Sequence, residues 1–205
     1  MTIKNNGFST FQIILLSFLI LIITGALLLM LPISTIDGMW ACFSDSLFTS
    51  TSAVCVTGLV VQDTATYWSV FGKAVILALI QIGGMGVVTV YIIMSVVLER
   101  KIGLRQRTIM QEAVSAAQIG GIVKFTGFIA KTVIIAELLG TLFLFPVFSR
   151  EYGILRGLGY SLFHSVLAFC NAGFDLSGHK GAFSSLTPYK TSFQKMWARS
   201  LPTPT

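Results

Sequence analysis

The segment Ser46-Leu-Phe-Thr-Ser-Thr-Ser-Ala-Val-Cys-Val-Thr-Gly-Leu59 has a related copy later in the chain, Ser161-Leu-Phe-His-Ser-Val-Leu-Ala-Phe-Cys-Asn-Ala-Gly-Phe174. The copies align without gaps at an offset of 115 residues and are identical at seven of 14 positions. Unrelated apolar segments would share about one or two. The identical pairs are Ser46/Ser161, Leu47/Leu162, Phe48/Phe163, Ser50/Ser165, Ala53/Ala168, Cys55/Cys170 and Gly58/Gly173. This internal repeat predicts two structural units of the same design.

The composition is typical of a membrane protein. Of the 205 residues, 54% are hydrophobic and 11% are charged, and the mean hydropathy is +0.83. A helix needs about 20 apolar residues to cross a hydrocarbon core of about 30 Å. Three runs have that length, at 11–31, 74–98 and 122–148. The repeat offset carries the first run into the third. Each unit is therefore predicted to begin with a spanning helix, followed by an outer loop, a short apolar segment and a second spanning helix.

Two of these runs carry further signals. Pro32 follows the first run, where a helix can end. A cleaved signal peptide is the alternative, because Lys4 precedes the run, but the run is long and no small-x-small cleavage site follows it. In the third run, Lys124 and Lys131 lie near the start and can extend to the interface. Glu137 lies near mid-span, where a charge would cost about 3 kcal/mol, and is expected to face protein or water.

The net charge is +6, and the basic residues are most densely clustered in one loop. Its dense basic cluster, 99–107, directly follows the second run, so a positive cytoplasmic loop explains it better than nucleic-acid binding. This predicts a multi-pass plasma-membrane (inner-membrane) protein with a cytoplasmic N-terminus. The segment 32–73, with Asp37, Asp45 and Asp63, then lies outside or within the membrane.

The repeated segment itself is too short to span. About 12 residues, 42–53 or 157–168, are expected to dip into the membrane and return. Non-helical backbone at membrane depth is tolerated where it lines a water-filled cavity or is buried in protein, so the pattern indicates a polar path. The candidate ion-binding residues follow each segment: Val54, Cys55, Val56, Thr57 and Gly58, and Phe169, Cys170, Asn171, Ala172 and Gly173.

Both of these strings end in glycine, which tolerates positive φ and lets successive carbonyls point to one side. Rings of carbonyls can replace the hydration shell of a cation. An ordinary tight turn is the alternative for a single loop. The second run also opens with a glycine-rich stretch, Gln81-Ile-Gly-Gly-Met-Gly86, which lies in an apolar helix and so is not a dinucleotide loop. Its glycines predict close approach of another helix or a loop, with plain close packing as the alternative.

The strings TSAVCVTGLVVQDT (51–64), IQIGGMGVVTV (80–90) and FHSVLAFCNAGFDLSG (163–178) resemble the Trk/Ktr/HKT superfamily of potassium transporters, most closely its KtrB-type membrane subunit. The resemblance implies repeated helix, re-entrant pore loop and helix units around one pore. It implies potassium as the substrate, with sodium as the alternative, held by filter carbonyls and without a covalently bound cofactor. It also implies membrane lipid, a homodimer and a cytoplasmic nucleotide-binding regulatory subunit of KtrA/TrkA type as partners.

The chain departs from this pattern after residue 189. The repeat offset predicts a closing helix at 189–213, but 190–205 is polar, basic and proline-rich. We therefore divide the chain into a first unit, 1–115, a second unit lacking its closing helix, 116–189, and an aberrant tail, 190–205. A reading frame broken near residue 190 would explain this tail. A non-transporting fragment, or a small subunit that modulates a full-length transporter, is then the alternative function.

An enzyme is the competing class. Cys55, Cys170, His164, His179 and Glu137 include residue types that act as nucleophiles, bases or metal ligands. The spacing does not favour it, because His164-x5-Cys170 is not a zinc spacing and Thr49 replaces His164 in the first unit. We therefore predict no enzymatic activity and no disulfide. His164 is assigned to the second pore helix, His179 to a solvated loop, and Cys55 and Cys170 to packing behind the filter.

Overall fold

The computed structural model describes residues 10–86 and 122–176, with side chains from residues 12 and 127 onward. The helices in these ranges are α1 (Thr10–Met30), a 3₁₀ turn (Pro32–Ser34), α2 (Phe43–Val54), α3 (Val70–Met85), α4 (Ile122–Tyr152) and α5 (Ile154–Cys170). The basic cluster 99–107, His179 and the tail 190–205 lie outside the described residues, as does the part of the second predicted span from 87 to 98.

Two of the helices are long and apolar enough to cross a membrane. The qualifying segments are Gln12–Met30 in α1 and Gly127–Tyr152 in α4. With a rise of 1.5 Å per residue, the 21 residues of α1 extend about 30 Å, the thickness of a hydrocarbon core. Their side chains are mostly apolar and exposed, as in Leu15, Leu19, Leu142 and Phe143. Both helices confirm predicted apolar runs, and α4 extends four residues beyond its predicted end at 148.

In the first unit, the chain leaves the end of α1 and returns to it. The Ala41 N–H donates to the Met30 carbonyl, so α2 starts beside the last turn of α1. After α2 and its loop, the Ile36 N–H donates to the Tyr67 carbonyl, and the Ser69 N–H donates to that of Ser34. Residues 41 and 69 therefore lie at the same end of α1, and the intervening chain forms an out-and-back excursion of which α2 is the first half.

The second unit differs from the first in how its two helices are joined. We expected an outer loop before each short segment, but here α4 continues to Tyr152 and α5 begins at Ile154, with Gly153 alone between them. Gly153 has φ 79, a conformation that glycine adopts without strain. The short helix is consequently longer than predicted, with 17 residues in α5 against 12 in α2.

The two units nevertheless share the same contacts between their long and short helices. Ser50 Oγ donates to the Ile22 carbonyl at 2.7 Å, and Ser165 Oγ donates to the Glu137 carbonyl at 2.6 Å. These pairs are related by the 115-residue offset. A Cβ built on Gly25 would lie 2.5 Å from Ser50 Oγ, and one on Gly140 would clash with Ser165 Oγ. Both serines therefore need a matching glycine on the neighbouring helix.

The core lies between the short helices, with α3 filling the space between them. Buried side chains come from α2, α3, α5 and the segments that follow the short helices, and they include Val54, Ile76, Ile80, Val166 and Phe174. The side chain of Trp68, just before α3, is fully buried in the same cluster. Since α3 belongs in sequence to the first unit, this core joins the first unit to the second.

We predict that Gly140→Leu destabilises the protein severely, because its side chain would occupy the space of Ser165 and separate α4 from α5. The expected loss is about 2–4 kcal/mol, measured by thermal unfolding of the detergent-solubilised protein. Gly159→Ala is the matched control on α5, since a Cβ there meets nothing within 4 Å. The expectation fails if both variants unfold at the wild-type temperature.

Candidate functional site

The two short helices end in the same hydrogen-bonded cap. After α2, the Thr57 N–H donates to the Ser52 carbonyl at 2.9 Å, and the Val56 N–H donates to that of Ala53 at 3.2 Å. After α5, the Ala172 N–H donates to Leu167 at 2.9 Å, and the Asn171 N–H donates to Ala168 at 3.3 Å. Each bond maps onto its counterpart by the 115-residue offset. This is the Schellman arrangement, which satisfies the last helical carbonyls within the chain itself.

The left-handed residue of each cap is not glycine. Val56 has φ 55 and Asn171 has φ 54. Asparagine enters this region with little strain, whereas a β-branched valine is an outlier there. Of the two terminal glycines, which tolerate positive φ, Gly58 adopts φ 72, whereas Gly173 is not among the positive-φ residues. Val56 was among the predicted site residues, but its left-handed backbone was not predicted, because nothing in a valine side chain indicates that conformation.

The matched glycines of the two strings touch each other. A Cβ built on Gly58 would overlap the backbone nitrogen and Cα of Gly173, while a Cβ on Gly173 would lie 3.3 Å from the Gly58 Cα. The strings Val54–Gly58 and Phe169–Gly173 are thus brought together at their last residues. Position 58 therefore requires glycine for two reasons: its φ is positive, and the backbone of Gly173 leaves no space for a Cβ.

The carbonyl groups at the end of α2 divide into two sets. Those of Thr51, Ser52 and Ala53 accept cap hydrogen bonds, and that of Val54 faces α3, where it lies against Gly83. Among the backbone hydrogen bonds of the described residues, none ends on a carbonyl of 55–58 or of 170–173. Val54, at the start of the predicted string, therefore has its carbonyl turned to a helix.

The two cysteines of the strings have different surroundings. Cys170 is half-buried, and a Cβ on Gly84 would lie 2.7 Å from its Sγ, so it packs against α3 as expected. Cys55 is exposed, so our expectation that it packs behind the string is wrong for this residue. The glycine-rich stretch of α3 does approach both loops, as predicted, since Gly83 meets Val54 and Gly84 meets Cys170.

His164 packs inside α5 and its neighbours. It is 4% exposed, its ring stacks on Phe148 at a centroid distance of 5.0 Å, and Nδ1 lies 2.9 Å from the Tyr160 carbonyl. This agrees with its assignment to the short helix. Within the described residues, no group of three or more His, Cys, Asp or Glu side chains could hold a metal ion.

Glu137 faces protein, as predicted for a charge at mid-span. It is 7% exposed, and Gln81 Nε2 on α3 donates to its Oε1 at 2.8 Å. The sequence marked Glu137 as unusual, but it gave no sign that the partner would be Gln81.

The repeated strings thus form two capped short helices that meet at matched glycines. The sequence that builds this arrangement is similar to those of known proteins. A sequence model of the TrkH family, described as cation transport protein, matches residues 4–199. The chain belongs to the TrkH family. The predicted resemblance to the Trk/Ktr superfamily is therefore confirmed, and TrkH-family membership indicates a membrane protein.

Several curated relatives support the TrkH assignment. The chain is 40% identical over 170 residues to the potassium/sodium uptake protein NtpJ of Enterococcus hirae, covering 83% of this chain and 38% of that protein. It is 44% identical over 175 residues to the Ktr system potassium uptake protein B of Bacillus subtilis, covering 85% and 39%. The protein of the same name from Vibrio alginolyticus is 38% identical over 165 residues, covering 80% and 36%. This TrkH-family chain thus spans less than half the length of these relatives.

We predict that Gly58→Ala destabilises the TrkH-family chain more than Gly173→Ala does. At position 58 the new methyl group meets both an unfavourable φ and the backbone of Gly173, and we expect a cost of about 2–3 kcal/mol. At position 173 the contact of 3.3 Å needs only a small shift. Thermal unfolding in detergent measures the difference, and equal losses at the two positions would contradict the asymmetry.

A second expectation concerns the strained cap of α2. Val56→Gly should raise stability by about 1 kcal/mol, because glycine adopts φ 55 without steric conflict. Asn171→Gly is the matched control and should have a smaller effect, since asparagine already tolerates that conformation. Both are measured by the same unfolding assay, and a destabilised Val56→Gly variant would count against strain at this cap.

Proposed function

We propose that this chain is part of a potassium-uptake protein in which residues 55–58 and 170–173 line one side of a cation path. The observation that carries the proposal is the meeting of Gly58 and Gly173, which brings together the loops that end two short helices. In this proposal each unit is a spanning helix followed by a re-entrant pore loop. The carbonyls of Cys55, Val56, Thr57 and Gly58 and of Cys170, Asn171, Ala172 and Gly173 are the cation ligands.

The electrostatics of the site favour a cation. Helices α2 and α5 both end at the loops, and the C-terminus of a helix carries a partial negative charge equivalent to about half an elementary charge. Carbonyl oxygens are hard, neutral ligands that suit an alkali cation passing between water and a membrane interior. Val54, the last residue of α2, and Phe169, the last but one of α5, are assigned a supporting role.

The substrate is carried over from the relatives, and the partners are those that the resemblance to the superfamily implies. These relatives are named as potassium or potassium/sodium uptake proteins, and several belong to Ktr systems. We propose potassium as the transported ion, with sodium as the competitor, and a membrane-embedded homodimer that works with a cytoplasmic nucleotide-binding regulatory subunit. The N-terminus is placed in the cytoplasm, and the loop 99–107 is on the same side as that subunit.

The test measures rubidium uptake, as a tracer for potassium, in cells lacking other potassium uptake systems. Both this chain and a chimera are used, in which its residues 10–176 replace the matching segment of the 44% identical Bacillus subtilis protein. Gly58→Asp and Gly173→Asp should each abolish uptake by the chimera, because a carboxylate would fill the junction between the loops. Gly38→Asp is the matched control, at a positive-φ glycine with open space around it.

Uptake by the chimera that survives Asp at both Gly58 and Gly173 would refute the cation path. A chimera that reaches the membrane but takes up neither rubidium nor sodium would refute the transport assignment for this segment.

The exposed thiol of Cys55 supplies an independent prediction. In a Cys42→Ser background, a positively charged methanethiosulfonate reagent should react with Cys55 and inhibit uptake by the chimera. High external potassium should slow the reaction, because cations in the path repel the reagent and occupy its site. Cys55→Ser is the control and should be insensitive, and inhibition of that variant to the same extent would show that the reagent acts elsewhere.

A further inference from the structure

A hydrogen bond between side chains of α3 and α4 connects the first unit to the second. Gln81 Nε2 donates to Glu137 Oε1 at 2.8 Å, and the Glu137 side chain is 7% exposed. Gln81 lies in the apolar helix α3, and Glu137 lies in α4, which is long and apolar enough to cross a membrane. A carboxyl group in such a place is costly, so its retention calls for a compensating contact or a role.

The repeat separates what Glu137 shares with the first unit from what is its own. Its counterpart at the 115-residue offset is Ile22, and the backbone carbonyls of both residues accept a serine hydroxyl from the neighbouring short helix. The backbone carbonyl of Glu137 therefore makes the same contact with a serine hydroxyl as that of Ile22 does. Its carboxylate adds a contact that an isoleucine side chain cannot make.

The added contact lies beside the point where α3 meets both loops. Gln81 precedes Gly83, which lies against the Val54 carbonyl, and Gly84, which lies against the Cys170 sulfur. These three residues fall within one turn of α3. Because a helix rises 1.5 Å per residue, a slide of α3 by one residue would lift both glycines out of these contacts.

We infer that Gln81 and Glu137 form a positioning pair that fixes the depth of α3 and thereby the separation of the two loops. This inference rests on the proposed cation path. Glu137 acts as a hydrogen-bond acceptor for Gln81 and is not a ligand of the transported ion. Loss of the pair lets the loops shift relative to each other, and discrimination between potassium-sized and smaller ions falls.

The test compares two substitutions of Glu137 in the chimera described above. Glu137→Gln removes the charge but keeps a carbonyl oxygen that accepts from Gln81 Nε2, whereas Glu137→Ile installs the residue of the first unit and removes the acceptor. We expect the ratio of rubidium to sodium uptake to stay within about threefold of wild type for Glu137→Gln and to fall about tenfold for Glu137→Ile. Normalisation to the amount of protein in the membrane removes effects on expression.

A second measurement tests the pair without reference to transport. The melting temperature of the detergent-solubilised protein should fall by several degrees for Glu137→Ile and for Gln81→Leu, and remain near wild type for Glu137→Gln. The double variant Gln81→Glu, Glu137→Gln exchanges the two side chains and keeps one amide and one carboxylate. Its melting temperature and its uptake ratio should both lie near the wild-type values.

The outcomes separate the two levels of the proposal. If the wild-type chimera fails to transport, the cation path falls, and the melting temperatures alone then decide whether the pair holds α3. If Glu137→Gln is as damaging as Glu137→Ile, the charge matters rather than the hydrogen bond, and the positioning role is overturned. Wild-type melting temperature and uptake ratio in Glu137→Ile would overturn it as well.

Discussion

The backbone contact between Gly58 and Gly173 limits how the rest of the described chain can be arranged. Two helix ends can approach this closely only if neither loop carries a side chain at the junction. Each short helix must also stop at its loop and turn sharply, which the left-handed residues Val56 and Asn171 achieve. Helix α3 then holds these two turns in register through the close contacts of Gly83 with Val54 and of Gly84 with Cys170.

The proposed position of the two loops at membrane depth accounts for the many contacts that serve the backbone rather than the side chains. A backbone group without a partner costs several kcal/mol in lipid, so a chain that stops being helical there has to satisfy its own carbonyls. The Schellman caps do this for the last turns of α2 and α5. The hydroxyls of Ser50 and Ser165 are satisfied in turn by carbonyls of the long helices.

The sequence allowed prediction of the elements that depend on composition and repetition. Apolar runs identified α1 and α4, and the constant offset identified α2 and α5 as counterparts. The sequence did not reveal that Gly153 alone joins α4 to α5. How far each helix extends toward this link depends on packing between the helices and not on a local signal. The strained φ of Val56, the exposure of Cys55 and the choice of Gln81 as partner of Glu137 likewise arise from tertiary contacts that no local pattern encodes.

Two departures from the repeat lie near the place where the units meet. Ile22 and Glu137 have equivalent backbones but different side chains, and Val56 and Asn171 hold the same cap with different strain. Duplication of one unit would give identical contacts around the loops, but α3 belongs to the first unit and packs on both. A helix shared in this way has one set of neighbours at Val54 and another at Cys170. Its two sides therefore need different residues, and an inter-unit hydrogen bond such as that of Gln81 is possible on the side where Glu137 replaces isoleucine.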